Sequence, residues 1–240
     1  MRLPTIRGII DRRILVNYRV DPTIAARVVP APFRPKITNG YAIAGICLIR
    51  LKQIRPEIIP IGLGLSSENA AHRIAVEWDH NGSSHEGVYI PRRDTDSQMT
   101  TWLGGRLFPG EHHHANFVVQ ESNQHLQVAF QSDDRRASVS VDAQTCDTWP
   151  AGSIFNSLND ASEFFQRGSI GYSASQEVGR FDGLELQCEK WETTPLHVRA
   201  VSSSFFENTA EFPEGSVQFD SALLMKNIDH HWHAMGEIRS

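Results

Sequence analysis

From residue 113 to residue 143 the chain passes three times through the same two-residue period. Phe117 and Val119, then Leu126, Val128 and Phe130, then Ala137, Val139 and Val141 take alternate positions. Turn-forming groups separate these runs at Glu121-Ser122-Asn123 and Ser132-Asp133-Asp134. Alternation sends every second side chain to one face of a pleated strand. The segment therefore predicts three consecutive antiparallel strands, which rules out a helical bundle.

The rest of the chain reads in the same way. Residues 12–20 (RRILVNYRV) predict a half-buried strand, and residues 41–51 (YAIAGICLIRL) a strand covered on both faces. Residues 72–78 and 85–90 predict two more, joined by a turn at Asp79-His80-Asn81-Gly82, where Asn-Gly is a favoured hairpin signal. Residues 183–191, 196–206 and 216–226 complete the strand-like runs.

Helix signals are short. Asp21-Pro22 starts one that ends near Val29, before Pro30 and Pro32. Asp96 or Ser97 caps a second that Gly104-Gly105 stops, and Ser157 to Asp160 opens a third, ASEFFQR, closed by Gly168. About ten strands and three short helices predict an α+β fold dominated by a twisted or closed antiparallel sheet. No repeat, linker or low-complexity tract divides the chain, so one domain over residues 1–240 is expected.

Composition narrows the function classes. A net charge of −5 and a pI near 6.1 leave no basic face of the kind that nucleic acid or an anionic membrane surface requires. The longest apolar stretch, 41–49, is too short to span a bilayer. Met1-Arg2-Leu3-Pro4 leads into no apolar export signal. Cys47, Cys146 and Cys188 form no close pair and read as reduced thiols, as in a cytoplasm.

There is no GxGxxG after a strand, no GxxxxGK[ST], no GxSxG and no CxxC. On a strand His112 and His114 share a face, so the pair could grip a metal, and Asp229-His230-His231-Trp232-His233 is a second histidine cluster. Neither has a third ligand at a diagnostic spacing, so no metal and no cofactor are expected. The densest polar segment is 66–94. Glu68, Asn69, His72 and Arg73 precede one strand, while Glu86, Tyr89, Arg92, Arg93 and Asp94 flank the next. If the two strands pair, both groups meet near one end of the sheet. A guanidinium fork there suits a carboxylate, and Glu68 or His72 supplies an acid or base. The competing reading is that Glu68 and Arg73, or Arg93 and Asp94, are structural ion pairs.

Four stretches resemble the acetoacetate decarboxylase family. ILVNYRVDPTIAARVVPAPF (14–33) is similar to its opening strand and helix, and LGLSSENAAHRIAV (63–76) to the segment that carries a site glutamate. EGVYIPRRDTDS (86–97) falls where the family has its lysine-bearing stretch, and AVSSSFFENTAEFPEGSVQFDSALL (200–224) resembles its C-terminal strand. RDTDS, GGRLFPG and SSSFF resemble an uncharacterised bacterial branch of the superfamily, a domain family of unknown function.

The resemblance implies a cone-shaped, mostly antiparallel β-barrel with a few short helices and the site inside. It also implies a site role for Glu68. In the family a lysine forms a Schiff base with a β-keto acid. Here the lysines are Lys36, Lys52, Lys190 and Lys226, and none lies in 85–97. The family's lysine pair falls opposite Arg92-Arg93, and a delocalised, permanently charged guanidinium cannot form an imine.

Two functions compete. The first is a lyase- or isomerase-type enzyme acting on a small carboxylate or keto acid by non-imine acid/base chemistry. Glu68 and His72 would move protons there, and Arg73, Glu86, Tyr89, Arg92 and Arg93 would bind substrate. The second is a barrel that binds an anionic ligand without chemistry. A homo-oligomer is compatible with either, and a purely structural assembly protein has least support.

Overall fold

The computed structural model describes residues 5–57, 64–103 and 109–240, with the side chains of Trp102 and Leu103 left aside. In chain order the elements are β1 (Ile6–Val20), α1 (Pro22–Val28), β2 (Arg34–Pro35), β3 (Ile37–Thr38), β4 (Tyr41–Pro56), β5 (Leu65–His80) and β6 (Ser83–Thr95). There follow α2 (Gln98–Leu103), β7 (His112–Glu121), β8 (His125–Ser132), β9 (Ser138–Thr145), α3 (Leu158–Arg167) and β10 (Ile170–Ala174). The last are β11 (Arg180–Cys188), β12 (Thr194–Ser203), β13 (Val217–Ala234) and β14 (Ile238–Arg239).

Local chemistry explains most boundaries. Asp21 accepts hydrogen bonds from the backbone of Thr23 and Ile24, and Pro22 takes the first helical position of α1. Ser157 caps α3 by accepting from the Asp160 amide, and Gly168 ends it. Ser97 accepts from the Thr100 amide at the start of α2, while the proposed stop at Gly104-Gly105 lies outside the described residues. Asn81 and Gly82 both have positive φ, as a two-residue hairpin between β5 and β6 requires.

The strands are longer than their apolar cores indicated. β4 and β5 have 16 residues each and β13 has 18, reaching through the histidine cluster at 230–233. Within that cluster His230 is 1% exposed. The short strands β2, β3, β10 and β14 carry too few residues to show a period.

Two closed circuits of strands share one wall. β13, β1, β4, β5 and β6 lie side by side in that order, all antiparallel. One circuit returns from β6 to β13 through β10 and β11, which makes a ring of seven strands. The other returns through β7, β8, β9 and β12. Most contacts are antiparallel; β6 pairs in parallel with both β7 and β10.

The shared wall is consequently buried on both faces, which is why Ala42 to Ile49 read as an unbroken apolar run. One face carries Ile14, Val16, Ile46 and Leu48 against Leu126, Val128, Phe130 and Val141 of the meander. The other carries Leu15, Ile43, Cys47 and Ile49 into the seven-strand ring, where Phe164 and Phe165 of α3 pack. Among the described residues, no helix is long and apolar enough to cross a membrane.

Candidate functional site

A cavity of about 170 Å³ occupies the seven-strand ring. At roughly 15 Å³ per water by this kind of measure, it has room for on the order of ten waters. That volume suits a small metabolite. Every strand of the ring contributes to its walls. Gly171 of β10, Leu184 and Leu186 of β11, and Trp232 of β13 supply apolar surface. Arg13 of β1, Cys47 of β4, Arg73 of β5 and Arg93 of β6 supply polar groups.

Strand parity decides which polar residues enter. On β5, Asn69, Ala71 and Arg73 face the cavity, so Glu68 and His72 face the other side of the wall. On β6, Val88 and Ile90 line the cavity and continued alternation would add Arg92. The pairing slips instead. His72 lies opposite Arg92 and Ile74 opposite Tyr89, three steps on β6 against two on β5. The extra residue falls at Ile90-Pro91, and proline has no N–H for a ladder bond. Beyond this bulge the parity is reversed, and Arg93 rather than Arg92 lines the cavity.

Of the residues singled out by sequence, Asn69, Arg73, Arg93 and Asp94 line this space. Glu86 lines a smaller adjoining pocket, where it is ion-paired with Lys36 and Arg167. The other four do not line the cavity. Glu68 accepts from Arg12 Nη2 and Arg50 Nε, both at 2.5 Å, in a network that runs from the buried Glu68 and Arg12 out to the more exposed Arg50 and Glu121. The expectation of a shared cavity for Glu68 and Arg73 is thus corrected, because they lie five positions apart on an unbroken strand and so face opposite ways. The expected Glu68–Arg73 and Arg93–Asp94 pairs are replaced by Glu68–Arg12 and Arg92–Asp94.

His72 is wholly buried, shares a 3.3 Å hydrogen bond with Ser203 and stacks on Phe205. Burial, reinforced by Arg92, drives its pKa down to about 3. Tyr89 packs between Phe33 and Phe181. Arg92 binds Asp94 at 2.8 Å and Asp134 at 3.0 Å.

Three guanidinium groups enter the cavity against one lining carboxylate, Asp94, which Arg92 neutralises. Arg73 is 4% exposed; it donates to Asn17 Oδ1 at 2.5 Å and lies 4.7 Å over the Phe165 ring, while its Nε is buried without a partner. Gly45, opposite Arg73, leaves room for the guanidinium, since a Cβ there would come within 3.3 Å of Nη2. Arg93 donates through Nε to Ser173 Oγ at 3.2 Å. Arg13 donates to the sulfurs of Cys47 at 3.3 Å and Met225 at 3.9 Å. Among the described residues no carboxylate pairs with any of the three. Burial lowers the pKa of both Arg73 and Arg93 to about 10, where they remain charged at neutral pH.

Two lining groups were not proposed from sequence for this site, Arg13 and Cys47, and a third, His112, was weighed only as a metal ligand. Arg13 was legible in principle as the polar partner of Leu15 in the alternating first strand. Nothing distinguished Cys47 inside its apolar run. His112 sits beside Arg93 in the parallel β6–β7 pairing. Burial, then the Arg93 charge, hold its imidazole neutral, with a pKa of about 3. His113 and His114 pair with Asp134 and Asp133, and among the described residues no group of three ligands is placed to hold a metal.

Comparisons with known proteins agree with this architecture. The chain resembles acetoacetate decarboxylase from Legionella pneumophila with a TM-score of 0.61 at 9% identity, over 98% of this chain and 88% of that one. It resembles an acetoacetate decarboxylase-like enzyme from Sphingomonas wittichii RW1 with a TM-score of 0.56 at 11% identity, over 100% and 94% of the two chains. The enduracididine biosynthesis enzyme MppR, complexed with pyruvate, gives 0.52 at 14% identity over 100% and 91%. At these identities the likeness is one of fold. No curated protein matches the sequence. The model of DUF2071, described as an uncharacterized conserved protein, matches residues 10–224, and the chain, with its acetoacetate decarboxylase-like fold, belongs to that family.

Proposed function

We propose that the seven-strand ring binds a small organic anion of the keto-acid class and acts on it by proton transfer without an imine. One observation carries this reading: Arg13, Arg73 and Arg93 enter one cavity, and among the described residues none has a carboxylate partner. Removing a charge from water costs several kcal/mol unless a counter-charge offsets it. A ligand carboxylate provides that counter-charge and takes donors in the planar geometry that guanidinium groups favour.

Non-imine chemistry follows from the lining. No lysine borders the main cavity, and Lys36, in the adjoining pocket, is held by Glu86. His112 is neutral and able to accept a proton. An anion seated on Arg93 offsets one of the influences that depress this imidazole and makes it more basic when the site is filled. His112 therefore takes the proton-transfer role that sequence reading placed on Glu68 and His72.

Pyruvate in deuterated water provides the test. The expected results are thermal stabilisation by pyruvate but not by its methyl ester, and enzyme-dependent deuterium entry into the methyl group. His112→Gln should abolish the exchange and spare the stabilisation. Absence of any stabilisation would remove the anion-site reading. Stabilisation without exchange would select the non-catalytic binding barrel, which the structural use of Glu68 and His72 favours.

A further inference from the structure

Cys47 is a free thiol, 8% exposed, on the wall of the arginine-lined cavity. Arg13 Nε donates a hydrogen bond to its sulfur at 3.3 Å. Arg73 and Arg93 line the same cavity as the sulfur. A buried structural cysteine ordinarily sits among apolar groups and is inert. Here the sulfur instead meets a guanidinium donor on a cavity wall. On the same wall Arg73, 4% exposed, has no carboxylate partner among the described residues, and its Nε makes no hydrogen bond.

We infer that Cys47 is a nucleophile that adds reversibly to the carbonyl carbon of a keto acid held by Arg73 and Arg93. The inference rests on the anion-site reading above and goes beyond it by assigning a covalent step. An S–C bond forms, the carbonyl π pair moves to oxygen, and the thiol proton ends on that oxygen. The product is a hemithioketal, with no oxidant, reductant or second substrate. Arg13, as donor to the sulfur, is a positioning residue. The adduct carbon is sp³ and carries sulfur and hydroxyl in place of the carbonyl.

Two measurements on the full chain test this. In the first, iodoacetate and iodoacetamide label the unmodified protein, with Cys146 and Cys188 as internal references. The acid-to-amide rate ratio at Cys47 should exceed that at either reference at least tenfold, and saturating pyruvate should suppress it. Equal ratios at all three cysteines would overturn the inference. In the second, carbon NMR follows [2-¹³C]pyruvate for a protein-bound sp³ carbon distinct from free hydrate, present with the native chain and absent with Cys47→Ala. If pyruvate stabilises the protein while its bound carbonyl stays sp², the covalent step is wrong and the anion site stands. If pyruvate neither stabilises the protein nor protects Cys47, both readings fall.

Discussion

Arg92 and Arg93 are neighbours in sequence with opposite circumstances. Arg92 is neutralised by Asp94 and Asp134, whereas Arg93 has a serine hydroxyl and a cavity. Lysine at either position keeps the charge and loses the planar fork. Arg93→Lys should therefore weaken pyruvate binding roughly ten- to a hundredfold, the equivalent of about 1.5–3 kcal/mol for one charged contact. Arg92→Lys should leave affinity unchanged and lower stability, so titration calorimetry on the two variants separates site from scaffold. Glu68 belongs with Arg92. Glu68→Gln removes a partner from Arg12, which is 1% exposed, and should cost about 3 kcal/mol in denaturant unfolding without altering pyruvate affinity. Loss of affinity in this variant at unchanged stability would restore the glutamate to the site.

Among the elements, the shared wall is the most tightly constrained. β1 and β4 approach so closely at Gly45 that a Cβ there would lie 2.3 Å from the Val16 carbonyl oxygen. Gly45→Ala should force the two strands apart and cost about 1–3 kcal/mol, as overpacking does elsewhere. Gly152→Ala is the control, because an added Cβ there meets nothing within 4 Å. Equal midpoints for the two variants in urea would show that the wall yields more readily than its geometry indicates. The bulge at Ile90-Pro91 has the larger functional consequence. It interrupts the period of β6 in the middle of the sheet and selects which arginine enters the ring.

For the molecule as a whole, acid is the sensitive direction. Burial lowers His72 and His112 to about 3 and His230 to about 4, against an unfolded value near 6.5. Between those values the unfolded chain binds protons that the native chain excludes, so stability rises with pH across this window. It is fully present above about 6.5 and is lost as pH falls towards 4. Each histidine adds a slope of up to about 1.4 kcal/mol per pH unit. Unfolding free energies at pH 7, 6 and 5 should fall steeply, and His72→Gln should flatten the curve by about one proton. A flat profile from 7 to 5 would mean that the three imidazoles reach water. Borohydride with pyruvate should leave all four lysines unmodified; an adduct at Lys36 would show that the adjoining pocket opens into the main cavity.

Period-2 runs, helix caps at Asp21 and Ser157 and the Asn81-Gly82 turn foretold most of the regular structure, because each depends on residues a few positions apart. The orientation of Glu68 against Arg73 was legible too, since an odd separation on one strand sends two side chains to opposite faces. The site itself was not. Arg12 reaches Glu68 and Glu121 across 56 and 109 residues, and Asn17 meets Ser221 across 204. Ring closure of this kind decides which face of β1, β4 and β5 encloses a cavity and which packs against the meander. No local pattern records the extra residue in β6 that turns Arg93 inward, or the pairing that sets Cys47 among arginines. Those outcomes depend on strand register between distant segments, which is settled only when the whole sheet closes.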